Sequence, residues 1–170
     1  MKIAILSDTH KKFSLAKEMI DLLVDNGAEY IVHAGDICQY ETLEYIAKTK
    51  LPYVVVYGNN DAHMFRYHND FNLVQEPYYF VQDGVRFKLM HMPYYLTPDS
   101  DVVIYGHTHI FELKQVGGTL FVNSGEVCAR ERLKSTAVLL ETTSKQYRVQ
   151  QFVRDLRENK VEVMRYEFER

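Results

Sequence analysis

The chain has 170 residues, of which 46% are hydrophobic and 25% charged, with a formal net charge of −3. That length predicts one domain spanning 1–170, able to bury a core without disulfides. The charge excludes the strong basic field that draws proteins to long nucleic acid or anionic membranes.

The two cysteines, Cys38 and Cys128, form no CxxC pair, so neither a zinc knuckle nor a dithiol motif is expected. A reduced, cytoplasmic protein is the simplest reading. The apolar run Ile3-Ala4-Ile5-Leu6 is too short for a secretory signal, and no stretch approaches membrane-spanning length.

Lys2–Leu6 is continuously apolar, as a strand covered on both faces is. A helix follows, with Ser14 as its N-cap. Its apolar residues Ala16, Met19, Ile20 and Leu23 fall at i, i+3, i+4, i+7, and Gly27 sits where it should stop. Tyr30–Ala34 is the second strand. Leu43, Ile46 and Ala47 mark a shorter helix that ends before Pro52. Tyr53–Tyr57 is the third strand. Such βαβαβ units make parallel sheets. His63–Leu73 reads as loop with one helical turn. Tyr78–Gln82 and Val85–Met90 flank Asp83-Gly84, a hairpin signal. Val102–Tyr105 is another strand. Phe111–Val116 and Thr119–Val122 flank Gly117-Gly118, and Thr136–Glu141 and Gln146–Val153 flank Ser144-Lys145. A parallel half followed by an antiparallel half suits an α/β fold of two sheets packed face to face with helices outside. Residues 144–170 form a strand-rich extension with seven Lys/Arg and five Asp/Glu, a solvated mixed-charge face. Its strands offer a dimer edge.

Several apolar runs end on metal-type ligands: Asp8-Thr9-His10, Gly35-Asp36, Gly58-Asn59-Asn60-Asp61 and Tyr105-Gly106-His107-Thr108-His109. With His91, the candidates Asp8, Asp36, Asn59 and His107 each stand at or just past a strand's carboxyl end, where open α/β sheets bind ligands. Asp8/His10 and His107/His109 are spaced i, i+2, which in an extended segment puts both side chains on one side. Gly35, Gly58 and Gly106 sit where the chain must turn sharply. Oxygen and imidazole donors without thiolate suit Mn²⁺, Fe, Zn²⁺, Ni²⁺ or Co²⁺. One bridging aspartate suits ions about 3.5–4 Å apart.

The ordered set Asp8-x-His10, Gly35-Asp36, Gly58-Asn59-x-Asp61, His91 and Gly106-His107-x-His109 resembles the calcineurin-like metallophosphoesterase family. It is most similar to the small single-domain bacterial and archaeal branch, over about residues 1 to 140. The resemblance implies a four-layer αββα sandwich of two mixed sheets flanked by helices. It implies two divalent ions, Mn²⁺ foremost, the first held by Asp8, His10 and His109. Asn59, His91 and His107 then hold the second, and Asp36 bridges. A bridging hydroxide attacks phosphorus in line, and Asp61 supports the motif loop.

Three departures from the family pattern matter. Position 60, often a histidine acid, is Asn60, which donates a hydrogen bond but is no general acid. General acid catalysis contributes about 10²–10⁴-fold, so the sequence points to phosphodiesters with acidic leaving groups. Met92 replaces the usual glycine after His91 and narrows the pocket. Only fifteen residues separate His91 from His107. Pro93 and Pro98 exclude the long helix relatives fit there, leaving that side of the site open or covered by a second subunit.

Other residues near the motifs have plainer readings. His33 reads as a core residue supporting the site, and Cys38 as a small hydrophobe. His63 and His68 read as surface histidines, with replacement of the acid missing at position 60 as the sharper alternative. Asn123-Ser124-Gly125 is either a turn or a loop bordering the site. Asn60 is a candidate substrate contact, and so is Tyr94, which with Tyr95 follows His91 and reads equally as core packing. The expected function is hydrolysis of a small phosphodiester, without extended nucleic acid or membrane partners. A non-catalytic scaffold for protein partners and a nuclease on short nucleic acids are the alternatives.

Overall fold

The first strand shows why the two faces of a sheet need different partners. In a computed structural model describing residues 1–170, β1 (Lys2–Leu6) buries Ile3 and Ile5 between two sheets, while Ala4 and Leu6 face helices. Helices α1 (Phe13–Asp25) and α2 (Tyr40–Lys48) lie on that second face. α1 buries Ala16, Met19, Ile20 and Leu23, the stripe its periodicity predicts. Ser14 does not cap α1. The helix begins at Phe13 with no side-chain cap. The turn closed by the Lys12 amide on the Thr9 carbonyl (3.1 Å) delivers the chain directly into the first turn, so Ser14 falls inside the helix.

β1 pairs in parallel with β2 (Tyr30–His33), which pairs with β3 (Tyr53–Val56) and then the short β4 (Leu73–Val74). A 3-10 helix, Ala62–Tyr67, fills part of the stretch read as loop. On its other edge β1 pairs antiparallel with β10 (Lys134–Thr142). β11 (Gln146–Asp155) and β12 (Lys160–Glu169) continue outward, so the sheet order is β12-β11-β10-β1-β2-β3-β4.

The second sheet has β5 (Tyr78–Gln82), β6 (Val85–Leu89), β7 (Val102–Tyr105), β8 (Phe111–Val116) and β9 (Thr119–Ser124), in the order β5-β6-β7-β9-β8. β6, β7 and β9 run parallel, and the hairpins β5–β6 and β8–β9 close at Asp83-Gly84 and Gly117-Gly118. Both sheets are therefore mixed. Between them lie Ile3, Val32, Val54, Phe87, Ile104 and Val138. Truncating a large aliphatic there costs about 2–5 kcal/mol. The outer face of the second sheet is covered thinly, by Met90, Val103, Tyr105 and Phe121 with Leu96 against them. The only helical piece after His91 is the 3-10 turn Pro93–Tyr95, as the prolines require. No helix is long and apolar enough to cross a membrane.

Candidate metal centre

Asp8 follows β1, Asp36 follows β2 and Asn59 follows β3, while His91 and His107 follow β6 and β7 of the other sheet. Both sheets thus aim their carboxyl ends at one place. The i, i+2 pairs converge by a different route from the extended one. Asp8, His10, Asp36, Cys38, His107 and His109 all have positive φ, between 44° and 69°. Asp, Asn and His accept this conformation more readily than most residues. Gly106 and Gly58 provide room rather than a sharp turn. A Cβ on Gly106 would lie 2.0 Å from Ser7 Oγ, and one on Gly58 would lie 2.2 Å from Asp36 Oδ1.

Asp36 stands in the middle. Its Oδ2 is 3.8 Å from His10 Nε2 on one side and 3.5 Å from His91 Nε2 on the other. Its two oxygens accept the backbone N–H (2.9 Å) and side-chain amide (2.7 Å) of Asn60. On the His10 side, His109 Nε2 lies 3.5 Å from His10 Nε2 and 3.2 Å from Asp8 Oδ1. On the His91 side, His91 Nε2 and His107 Nδ1 each lie 3.0 Å from Asn59 Oδ1. The seven side chains read as ligands are therefore brought together, in two groups on either side of Asp36.

The arrangement calls for a cation. His91 Nδ1 donates to the Ala34 carbonyl at 2.8 Å, which leaves Nε2 as a lone pair facing the oxygens of Asn59 and Asp36. His109 Nδ1 meets Glu126 Oε2 at 2.6 Å, the carboxylate–histidine pairing that orients metal-ligating imidazoles. Asp8 is fully buried, and its Oδ1 accepts no aligned hydrogen bond. Clustered acceptors with an orphaned buried carboxylate oxygen fit a divalent ion. Burial alone would raise the Asp8 carboxyl, but contacts with His109 and Ser7 outweigh it and hold it below its usual range. His109 is pushed up to about 11, by Asp8 first and then by Cys128. A metal at that imidazole has to displace its proton.

Of the supporting residues, Asp61 was legible in sequence, while Glu126 and Glu76 were not. Asp61 is buried and accepts the backbone N–H groups of Cys38 (2.7 Å), Gly58 (2.8 Å) and Ile37 (3.2 Å), tying two ligand loops together. Glu126 also accepts the Glu131 amide at 2.7 Å. Glu76 accepts the amides of His91 and Met92. Neither glutamate stands in a ligand motif. The one available signal was Glu126's place after Asn123-Ser124-Gly125. That segment is both turn and border: Asn123 donates to the Gly106 carbonyl and Thr108 Oγ1, each at 3.0 Å, bracing the His107 loop.

His33 is fully buried against Thr9 Oγ1 at 3.1 Å, and burial lowers its pKa to about 4, keeping it neutral. Cys38 lies 3.7 Å from His10 Nδ1. Burial first, then the Asp61 and Asp36 charges, push its thiol up. His63 sits 3.0 Å from the Cys38 carbonyl, bordering the site, whereas exposed His68 pairs with Tyr57. A cavity of about 460 Å³ opens over Asp36, Asn59, His107 and His109, walled by Arg130 and Arg132. A second, of about 750 Å³, adjoins it at Asn60 and Arg130. Tyr94 is 71% exposed on the 3-10 turn and lines neither cavity; Met92 lines neither.

The calcineurin-like phosphoesterase superfamily domain matches residues 1–145. Phosphodiesterase MJ0936 of Methanocaldococcus jannaschii is 28% identical over 161 residues, covering 87% of this chain and 97% of that protein. Phosphodiesterase YfcE of Escherichia coli is 23% identical over 148 residues, covering 75% and 79%. Among solved structures, a Vps29 single mutant from Entamoeba histolytica superposes with a TM-score of 0.81 at 20% identity, over 99% of each chain. That last likeness is one of fold. With the superfamily domain covering most of its length, the chain belongs to the calcineurin-like phosphoesterase superfamily, a superfamily of phosphoester hydrolases.

Proposed function

We propose that the protein is a two-metal phosphodiesterase acting on small diesters. Asp8, His10 and His109 would hold one ion, Asn59, His91 and His107 the other, with Asp36 shared and Mn²⁺ the favoured metal. When bound, such ions supply Lewis acidity to phosphoryl oxygens and a water acidic enough to attack phosphorus at neutral pH. The chain's own residues do the rest. Glu126 and the Ala34 carbonyl orient His109 and His91. Asn60 fixes Asp36 by donating to both of its oxygens, so it positions the shared carboxylate and protonates nothing. Arg130, at the junction of the two cavities, supplies positive charge beside the reacting phosphate.

The observation that carries this reading is the placement of Asp36 between two imidazole groups. The diester preference rests on Asn60, because a leaving group without an acid must depart as an anion. Bis-p-nitrophenyl phosphate and p-nitrophenyl phosphate, assayed with Mn²⁺, test it: the diester should turn over faster, and faster monoester hydrolysis sinks the preference. Asp36→Asn should lower kcat at least about a thousandfold and bind fewer ions. Full activity in that variant refutes the site. The Vps29-like fold keeps a scaffold role as the second reading. A protein that binds no metal and hydrolyses neither substrate would favour it.

A further inference from the structure

The larger cavity is not needed to hold metal ions. It runs from His10 and Asn60 outward, and its walls differ from those of the metal centre. Leu15, Leu133 and Leu156 form an apolar side, and Lys11, Lys12 and Arg130 stand on it without any carboxylate among the lining residues. In a chain of net charge −3, Arg130 is paired with Glu131 at 3.2 Å, but Lys11 and Lys12 have no acidic partner and make the cleft locally positive. Single exposed leucines are ordinary, but here Leu133 and Leu156 are 45% and 37% exposed and converge beside the site. Leu133 is held there in a left-handed conformation, φ +50°. Its carbonyl accepts the Leu156 amide at 3.1 Å, so the apolar wall is built across two loops.

We propose that this cleft is the subsite for the substrate's second ester substituent. It takes an organic group that has an apolar body and carries a further negative charge, as a nucleotide does. The inference rests on the phosphodiesterase reading and narrows its substrate class. The phosphorus sits over Asp36, one substituent leaves through the smaller cavity, and the other lies against the leucines with its extra anion on Lys11 and Lys12. Charge complementarity and continuity with the site at Asn60 and Arg130 fix that orientation.

Three p-nitrophenyl diesters with one leaving group test this on the Mn²⁺-loaded protein: the methyl ester, the thymidine 5′-ester, and the thymidine 5′-ester bearing a 3′-phosphate. KM should fall roughly tenfold from methyl to thymidine, and again roughly three- to tenfold with the added phosphate. The double variant Lys11→Ala/Lys12→Ala should raise KM for the phosphorylated ester alone, to the thymidine value. Leu133→Ser should raise it for both thymidine esters and leave the methyl ester, which does not reach the cleft. Equal KM values across the three esters, or equal effects of each variant on all of them, overturn the proposal. Binding of thymidine 3′,5′-bisphosphate to the metal-free protein, measured by calorimetry, separates the cleft from catalysis. It should weaken roughly three- to tenfold in the lysine variant. Lysine-dependent binding with no diester hydrolysis would overturn the phosphodiesterase reading and leave an anion cleft. Hydrolysis of bis-p-nitrophenyl phosphate with lysine-independent binding would overturn the cleft alone.

Discussion

Asp8 and Asp36 are both buried carboxylates, yet their oxygens are satisfied differently. Each Asp36 oxygen accepts from Asn60, whereas Asp8 Oδ1 has no aligned hydrogen bond and faces His109 Nε2 at 3.2 Å. That inequality separates a carboxylate fixed in place from one with room to accept a cation, and residue type alone does not reveal it. Glu126 makes the same point for the histidines. Glu126→Gln keeps an acceptor for the Glu131 amide but removes the charge that orients His109. Metal affinity should drop about 10–100-fold with the fold intact, read by chelator competition and circular dichroism. Unchanged affinity would assign Glu126 to loop structure only. Tyr94 was named from sequence as a substrate contact because it closely follows His91. The structure places it exposed on the 3-10 turn, outside both cavities.

At the scale of elements, the short link between His91 and His107 has its own anchor. Lys88 is buried on β6, and its Nζ donates to the Tyr95 carbonyl at 2.6 Å and Thr97 Oγ1 at 2.8 Å, and meets Asp99 at 3.1 Å. A charged residue in an apolar strand is costly unless so satisfied. Lys88→Met should destabilise the protein by about 1–3 kcal/mol. It should also speed amide exchange across residues 93–99, measured by mass spectrometry, with metal binding retained. Exchange unchanged in that segment would show that the prolines alone hold it. Most strands and both long helices were legible because their apolar periods are clean. The start of α1 was not, because the turn from Thr9 to Lys12 makes the Ser14 cap unnecessary.

For the whole molecule, the candidate ligands come from loops of both sheets, so ions bound there should stabilise the native state against unfolding. At a hundred times Kd, one ion adds about 2.7 kcal/mol, or roughly 5–10 °C in Tm for a chain of this size. A thermal melt with Mn²⁺ should rise by that much and return on chelation; no shift at millimolar Mn²⁺ would count against the centre. Acid should destabilise through His33. Burial depresses its folded pKa to about 4, from about 6.5 for a solvated histidine. The stability of the neutral form is therefore complete above pH 6.5 and lost as pH falls toward 4, by about 3 kcal/mol. Denaturant melts of the metal-free protein and of His33→Gln should diverge in that window. Parallel pH profiles would mean that the His33 site admits water or a proton in the folded state.

The sequence by itself determined the alternating elements, the strand-end position of each donor and the residue types that call for a divalent cation. Those follow from local periodicity and from chemistry carried by single residues. Tertiary structure alone decided that β10 returns from far along the chain to pair with β1, and that β6 and β7 bring His91 and His107 to the first sheet's ligands. It also decided that Glu126 and the Lys11–Arg130 cleft border the site. Strand pairing depends on register and burial across more than a hundred residues, and no local pattern encodes which edges meet.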